Sequence, residues 1–244
     1  DLKALDALID RQLEAGVPAL LACGTTGEPS TMTDEEWTLV VRRVIEHVNG
    51  RAFVIAGTGS NNPRHTIEKA HIAQYLGADA QLCVTPYYNK ASDRGLLLHY
   101  RALADAAEKP VILYSVPGRT GVSIHAETYI ALADHANIIG VKEASVDLGA
   151  ISALIDHCSD RLDVYAGNDD MTVPLLSLGG AGVISVISNV IPTAVSDVCR
   201  LWFDGKPRLS AAKATKFGLY TGGKWLCGSK SGNLAGKFNI FIQR

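Results

Sequence analysis

The sequence has neither a long apolar run nor a block of basic residues, and each absence excludes a class of protein. No stretch approaches the roughly 20 apolar residues that span a bilayer. The opening Asp1-Leu2-Lys3 leads into a helical pattern rather than a signal peptide. The longest basic cluster is Arg42-Arg43, and the formal net charge is only −2. We therefore expect neither a membrane segment nor a nucleic-acid partner.

Cysteine is sparse and follows no metal or redox pattern. The five cysteines stand far apart and form no C-x-x-C pair. Cys23 and Cys83 end apolar runs, so we expect them to be buried as small hydrophobic residues. The seven histidines form no i, i+4 pair of the kind that binds zinc. These patterns predict no metal site and a location in the reducing cytoplasm.

A complete dinucleotide-binding motif is also missing. Gly57-Thr58-Gly59 comes nearest to G-x-G-x-x-G, but Asn62 stands where the third glycine belongs. This weakens one alternative for the fold, an open doubly wound sheet that binds a dinucleotide.

What the sequence does contain is a regular alternation of apolar runs and amphipathic stretches, with a period of roughly 30 residues. Each run is typical of a parallel strand buried on both faces. The runs are 19–23, 52–57, 80–85, 110–115, 137–141, 162–167 and 182–186. The helical stretches between them include 34–47, 63–76, 93–107 and 126–133. Thr33 and Glu36 predict a capping box at the start of the first of these.

The number of strands bears on the architecture. Seven are visible, and the chain opens on a predicted helix over 2–15 with no strand before it. A doubly wound sheet could stop at seven strands, whereas a barrel closes at eight. We predict an α/β fold, a (β/α)8 TIM barrel that lacks its first strand. This interpretation places the missing strand upstream of Asp1.

The alternation fades near Ala212. We predict a barrel over 1–212 and an atypical C-terminal tail over 213–244, which is rich in Gly, Lys and Ser. A barrel without its first strand would expose two unpaired strand edges.

Lys142 is the strongest candidate for a catalytic residue. In a barrel the functional face consists of the loops at the carboxyl ends of the strands. Lys142 ends the fifth run, where burial inside the barrel would lower the pKa of its amine. A neutral amine attacks ketones and aldehydes to give an iminium. The alternative is a salt-bridged lysine, although Glu143 points to the opposite side of the strand and is a poor partner.

Other polar residues follow the strands, and each has a structural interpretation beside the functional one. Thr25-Thr26 stands between glycines, which predicts a tight turn. The N–H groups of this turn could hold a carboxylate, or the segment could be an ordinary turn. Tyr88 and Tyr114 could carry protons or could simply pack. Arg119 could bind a substrate carboxylate or could be a surface arginine.

Four short motifs occur in a specific order. They are Gly24-Thr25-Thr26-Gly27-Glu28, Pro86-Tyr87-Tyr88-Asn89, the segment 114–121 and Val141-Lys142-Glu143-Ala144. Together they resemble the dihydrodipicolinate synthase family, within the N-acetylneuraminate lyase superfamily of class I aldolases. The match runs from Asp1 to about Ala212.

The resemblance implies an enzyme of lysine and diaminopimelate biosynthesis. Lys142 would form a Schiff base with pyruvate and condense it with L-aspartate-4-semialdehyde, without a separate cofactor. Thr25, Tyr114 and Tyr88 would relay protons, with Tyr88 supplied by a neighbouring subunit. The implied assembly is a homotetramer, built as a dimer of dimers.

The resemblance also implies four substrate-binding residues. Thr26 would bind the pyruvate carboxylate through its backbone N–H, and Arg119 would bind the carboxylate of the aldehyde substrate. Gly167 and Ile184 would line the pocket. Sister aldolases, namely N-acetylneuraminate lyase or a keto-deoxy sugar acid aldolase, are the nearest alternatives; Thr26 and Arg119 favour the synthase. An inactive truncated barrel is the alternative from another class.

One departure from the family concerns regulation. The lysine-feedback site of sensitive members matches here only at Asn61 and Tyr87. Its other polar positions are occupied by Pro29, Asp34, Trp37 and His65. The resemblance therefore implies weak or absent inhibition by lysine.

Overall fold

The computed structural model describes residues 1–218 and the backbone of residues 238–243. The helices of this part of the chain are α1 Leu2–Glu14, α2 Asp34–Val48, α3 Pro63–Leu76, α4 Asp93–Ala106, α5 Pro117–Thr120, α6 Ala126–Ala133, α7 Leu148–Cys158, α8 Thr172–Ser177, α9 Pro192–Phe203 and α10 Pro207–Lys216. The strands are β1 Ala19–Ala22, β2 Phe53–Gly57, β3 Ala80–Val84, β4 Val111–Ser115, β5 Ile138–Glu143, β6 Asp163–Ala166, β7 Gly182–Ser185 and β8 Phe238–Gln243.

Seven parallel strands, β1 to β7, lie side by side in chain order. All seven coincide with predicted apolar runs, and the helices between them return the chain to the same end of the sheet. The prediction of a parallel α/β barrel is therefore confirmed.

The eighth position of the barrel is filled by the tail. β8 pairs antiparallel with both β7 and β1, and the eight strands form a closed barrel. Ile240, for example, is the register partner of Leu20 on one side and of Ser185 on the other. The expectation of two unpaired edges is wrong, because β8 supplies partners for the N–H and C=O groups of both edge strands.

The predicted boundary between 212 and 213 falls inside α10, which continues to Lys216. Of the predicted tail, residues 219–237 and 244 lie outside the described residues.

Alternating strand residues build two apolar layers. One set fills the inside of the barrel: Ala19, Leu21, Ile55, Ala80, Leu82, Ile112, Tyr114, Val116, Tyr165 and Ile184. The other set, which includes Leu20, Val54, Leu113 and Val141, packs outward against the helices. Because the strands are buried on both faces, side-chain alternation decides which residues can reach the mouth of the barrel.

The turn after β1 shows how local sequence shapes the mouth. Thr33 and Glu36 form the predicted capping box, with N···O distances of 3.2 and 2.9 Å, and so fix the start of α2. Such a cap stabilises a helix by about 1 kcal/mol. Between β1 and α2 the chain makes a 3-10 turn over Thr25–Gly27.

Within residues 1–218, no helix is long and apolar enough to cross a membrane.

Candidate active site

A cleft opens at the carboxyl ends of the strands, where a barrel carries its functional loops. Its volume is about 440 Å³. The lining residues include Thr25, Tyr114 and Arg119, and also Asp34, His65 and Lys69.

Lys142 lies beneath this cleft, inside the barrel. Its side chain is only 1% exposed, and its Nζ lies 4.4 Å from the centroid of the Tyr114 ring. Burial lowers the pKa of Lys142 to about 7, while Asp169 opposes the shift and Arg119 adds to it. A substantial fraction of the amine is therefore neutral near pH 7 and able to act as a nucleophile.

Glu143 faces away from Lys142, as alternation predicts. One of its carboxylate oxygens accepts a hydrogen bond of 2.7 Å from the Tyr129 hydroxyl, and the other accepts one of 2.7 Å from the Ser145 N–H. Burial raises the pKa of Glu143. Glu143 is therefore bonded to α6 and to the loop after β5. The salt-bridge alternative for Lys142 loses its nearest partner in the chain.

Tyr114 connects the lysine to the cleft. It is a register partner of Lys142 on the neighbouring strand, and it is buried. Burial raises its pKa, while a hydrogen bond with the Thr25 side chain and the charge of Arg119 lower it. The phenol is thus protonated near neutral pH, with one face toward the amine and its hydroxyl toward the first loop.

Arg119 and Thr26 lie at the mouth, one in a short helix and the other in a turn. Arg119 is exposed on the short helix α5, at the edge of the cleft. Thr26 is half-buried in the middle of the Thr25–Gly27 turn. Thr26 does not line the cleft.

Gly167 and Ile184 are buried deeper. A Cβ on Gly167 would lie 2.6 Å from the Ala144 Cβ, so glycine is needed for β6 to approach the end of β5. Ile184 is fully buried in the barrel interior. Neither residue lines the cleft.

Tyr88 is the one proposed relay residue that the fold of this chain does not bring to the cleft. It is 89% exposed, and its backbone adopts the left-handed conformation, with φ of +71°. This conformation is costly for a bulky residue. Its neighbour Tyr87 lines the cleft instead.

Three of the residues that line the cleft form a charged cluster. Asp34 contacts the His65 Nε2 at 3.1 Å and the Lys69 Nζ at 3.5 Å. Trp37 lies beneath it, fully buried, and donates a hydrogen bond of 3.1 Å from Nε1 to the Gly57 carbonyl. The Trp37 side chain is therefore part of the core and offers no polar atom to a ligand in the cleft.

Asp169, which begins the 3-10 turn Asp169–Met171 after β6, was given no role from the sequence. Its carboxylate interacts electrostatically with Lys142. The available signal was an acidic residue in the turn that follows β6, at the end of the barrel where Lys142 and Tyr114 also lie. Among the residues the structure describes, no group of three or more His, Cys, Asp or Glu side chains could hold a metal ion.

Fold and site define a (β/α) barrel that buries a strand lysine at its mouth, beside a tyrosine and a threonine. Residues 1–218 match the model of the Dihydrodipicolinate synthetase family. The chain belongs to this family.

Individual relatives agree with that assignment. The 4-hydroxy-tetrahydrodipicolinate synthase of Geotalea uraniireducens is 48% identical over 206 residues, which are 84% of this chain and 71% of the relative. The enzyme of the same name from Clostridium tetani is 44% identical over 209 residues, 85% and 71% of the two chains. A solved structure, the chloride-inhibited dihydrodipicolinate synthase from Acinetobacter baumannii complexed with pyruvate, is 41% identical. It has a TM-score of 0.90 and covers 95% of this chain and 79% of its own.

Proposed function

We propose that this protein is a 4-hydroxy-tetrahydrodipicolinate synthase that condenses pyruvate with L-aspartate-4-semialdehyde through a Schiff base on Lys142. The observation that carries the proposal is the burial of Lys142 at the barrel mouth, which lowers its pKa to about 7. Family membership and the synthase relatives support the choice of reaction. The product belongs to lysine and diaminopimelate biosynthesis.

The chemistry follows from the neutral amine. The Lys142 nitrogen attacks the keto carbon of pyruvate, the carbonyl oxygen leaves as water, and an iminium forms. Loss of a methyl proton gives an enamine, whose carbon attacks the aldehyde carbon of the second substrate. The amino group of that substrate then attacks the iminium carbon, closes the ring and releases the lysine. No metal or organic cofactor is required.

Proton transfer is assigned to Tyr114, Thr25 and Tyr88. Tyr114 is next to the amine and is hydrogen-bonded to Thr25, so protons can pass between Lys142 and the mouth. Tyr88 would complete the relay from a neighbouring subunit. Its exposed side chain on a strained backbone is suited to reaching into a second copy of the chain. This supports a homo-oligomer, a dimer of dimers.

Substrate binding is assigned to the remaining mouth residues. The Arg119 guanidinium at the cleft edge would hold the carboxylate of the semialdehyde. The N–H groups of the turn that contains Thr26 would hold the pyruvate carboxylate. Gly167 and Ile184 would bound the space around the bound keto acid. We place the enzyme in the cytoplasm, a proposal supported by four buried free thiols at Cys23, Cys83, Cys158 and Cys199.

The direct test is to incubate the protein with pyruvate and borohydride and to map the modified peptide by mass spectrometry. We expect one pyruvate-derived adduct, on Lys142, and none in Lys142→Ala. Lys69, which also borders the cleft, provides the matched control, since Lys69→Ala should still be labelled. A folded protein without an adduct on Lys142 would rule out the proposal. Turnover of N-acetylneuraminate in place of the semialdehyde would instead assign a sister aldolase.

A further inference from the structure

The chain enters the threonine turn after β1 through a strained residue, Cys23. Cys23 is buried, and its backbone is left-handed, with φ of +55°. This conformation is costly for a residue that has a Cβ, and it persists only where the surrounding structure enforces it. Because Cys23 stands directly after β1 and before Gly24, its conformation directs the chain from the strand into the Thr25–Gly27 turn.

The thiol of Cys23 does not explain why the strain is kept. Burial raises the pKa of Cys23 to about 12, so the thiol is protonated near neutral pH. The side chain belongs to the apolar layer that packs against the helices. Glycine would adopt the same backbone conformation without the steric cost. The explanation therefore lies in what contacts the backbone of Cys23.

Gly57, the last residue of β2, lies against that backbone. A Cβ on Gly57 would lie 2.8 Å from the Cys23 carbonyl carbon and closer still to the carbonyl oxygen. Only glycine leaves room there for the peptide that joins Cys23 to Gly24. The Gly57 carbonyl in turn accepts a hydrogen bond of 3.1 Å from the Nε1 of Trp37, which is fully buried. The peptide before the turn is thus packed against a backbone segment that is itself held in place.

The turn has a defined internal shape. The Gly27 N–H donates a hydrogen bond of 2.7 Å to the Gly24 carbonyl. In this shape Thr25 lines the cleft, and its side chain is hydrogen-bonded to Tyr114. A bond within the turn fixes its shape but not its orientation in the barrel. The orientation depends on how the chain enters the turn, which is decided at Cys23.

We propose that Cys23 is a positioning residue, whose strained backbone, held by Gly57 and Trp37, orients the threonine turn toward bound pyruvate. This inference rests on the Schiff-base function proposed above, in which the N–H groups of the turn hold the pyruvate carboxylate and Thr25 relays protons. A turn that is already in place loses little conformational entropy when the substrate binds. The strain is accepted when the chain folds, and pyruvate then meets an ordered site.

The test compares Cys23→Gly with Cys23→Ala. Both variants remove the thiol, but only glycine releases the strained backbone. In Cys23→Gly we expect about tenfold weaker pyruvate affinity, read from the concentration dependence of borohydride trapping, and about tenfold lower kcat. Cys23→Ala should stay within about threefold of the wild-type protein in both measurements. Their melting temperatures should agree within about 4 °C, because release of the strain offsets loss of the Cβ.

Two controls separate positioning from a general loss of structure. In Cys23→Gly the KM for the semialdehyde should change less than about threefold, since Arg119 lies on α5 and outside the turn. Asn49 also has a left-handed backbone, with φ of +46°, but lies at the end of α2. Asn49→Gly should therefore leave pyruvate affinity and kcat unchanged. Equal pyruvate affinity in Cys23→Gly and Cys23→Ala, or an equal loss in Asn49→Gly, would overturn the inference.

A second pair of variants tests the support of Gly57 and leaves Cys23 unchanged. Trp37→Phe keeps a buried aromatic ring and removes the donor to the Gly57 carbonyl, so pyruvate affinity should weaken at least about threefold. Tyr100→Phe is the matched control, because Tyr100 is also fully buried and donates a hydrogen bond of 3.2 Å to the Cys83 carbonyl in β3. It should retain wild-type affinity. Equal affinities in these two variants would overturn the inference even if Cys23→Gly does not fold.

The proposed function and the positioning role fail in different ways. No adduct on Lys142 in the wild-type protein would defeat the Schiff-base proposal. A wild-type adduct, together with equal pyruvate affinity in Cys23→Gly and Cys23→Ala, would defeat the positioning role of Cys23 alone.

Discussion

Lys142 and Tyr114 are register partners on adjacent strands, and the Lys142 Nζ lies 4.4 Å from the centroid of the Tyr114 ring. A cation over an aromatic face is stabilised by the ring quadrupole. Because the hydroxyl of the same ring is hydrogen-bonded to Thr25, one buried side chain contacts the amine and also connects it to the first loop.

Tyr114→Phe should therefore remove proton transfer while keeping the packing against Lys142. We expect kcat to fall about 100-fold with little change in stability. Tyr129→Phe is the matched control on the other face of β5, where the hydroxyl donates to Glu143. It should cost about 1–3 kcal/mol of unfolding free energy and leave kcat nearly unchanged. Equal losses of kcat in both variants would argue against a relay through Tyr114.

Lysine should be a poor inhibitor. Trp37, which replaces a polar residue of the family's feedback site, is fully buried and donates its Nε1–H to the Gly57 carbonyl. At about 1 mM lysine we expect less than about twofold inhibition, which corresponds to a binding free energy weaker than about −4 kcal/mol. The measurement is an inhibition curve at fixed pyruvate, with pyruvate binding as the check that the sample is folded. Half-inhibition at sub-millimolar lysine would contradict the prediction.

Ile240→Pro should weaken closure of the barrel. The proline removes a backbone N–H in a strand that pairs with both β1 and β7 and restricts the strand backbone. We expect a loss of about 2–3 kcal/mol in unfolding free energy, with more aggregation on heating. Ile240→Val, which keeps the backbone donor and a β-branched side chain, is the control. If the two variants unfold alike, β8 contributes nothing to closure.

His99 should make the fold sensitive to acid. Burial lowers the pKa of His99 to about 4 from 6.5. Between these values the unfolded chain binds a proton that the folded chain does not, so stability falls as pH falls through this window. By pH 5 this single group should cost about 2 kcal/mol.

The measurement is urea unfolding of the wild-type protein and of His99→Leu at about pH 7 and about pH 5. Other groups titrate in both proteins, so the quantity of interest is the difference between their two pH dependences. An identical drop in unfolding free energy would show that His99 is not the acid-sensitive group.

The alternating sequence pattern was sufficient to predict the parallel part of the barrel and the place of Lys142 in it. Each strand of that part is a continuous apolar run, and alternation separates Lys142 from Glu143 without any long-range information. The capping box at Thr33 and Glu36 is equally local. These features depend only on residues close together in the chain.

The features that the sequence did not predict depend on distant partners. β8, Phe238–Gln243, is a short segment with four apolar residues inside a stretch rich in Gly, Lys and Ser, and its role follows only from the free edges of β1 and β7. Asp169 lies in the turn after β6, but two of the donors to its carboxylate are backbone N–H groups beyond β7. The identity of a residue does not show what its backbone N–H will bind. The sequence therefore could not predict that these two N–H groups bind the Asp169 carboxylate.

The antiparallel direction of β8 also sets where the chain emerges from the barrel. Phe238 pairs with Ala22 at the mouth, whereas Gln243 pairs with Gly182, the first residue of β7, at the opposite end. Seven strands present their carboxyl ends to the cleft, and the eighth presents its amino end. A fluorescent label or affinity tag joined after Gln243 would therefore lie at the end of the barrel opposite the cleft, away from the substrate entrance.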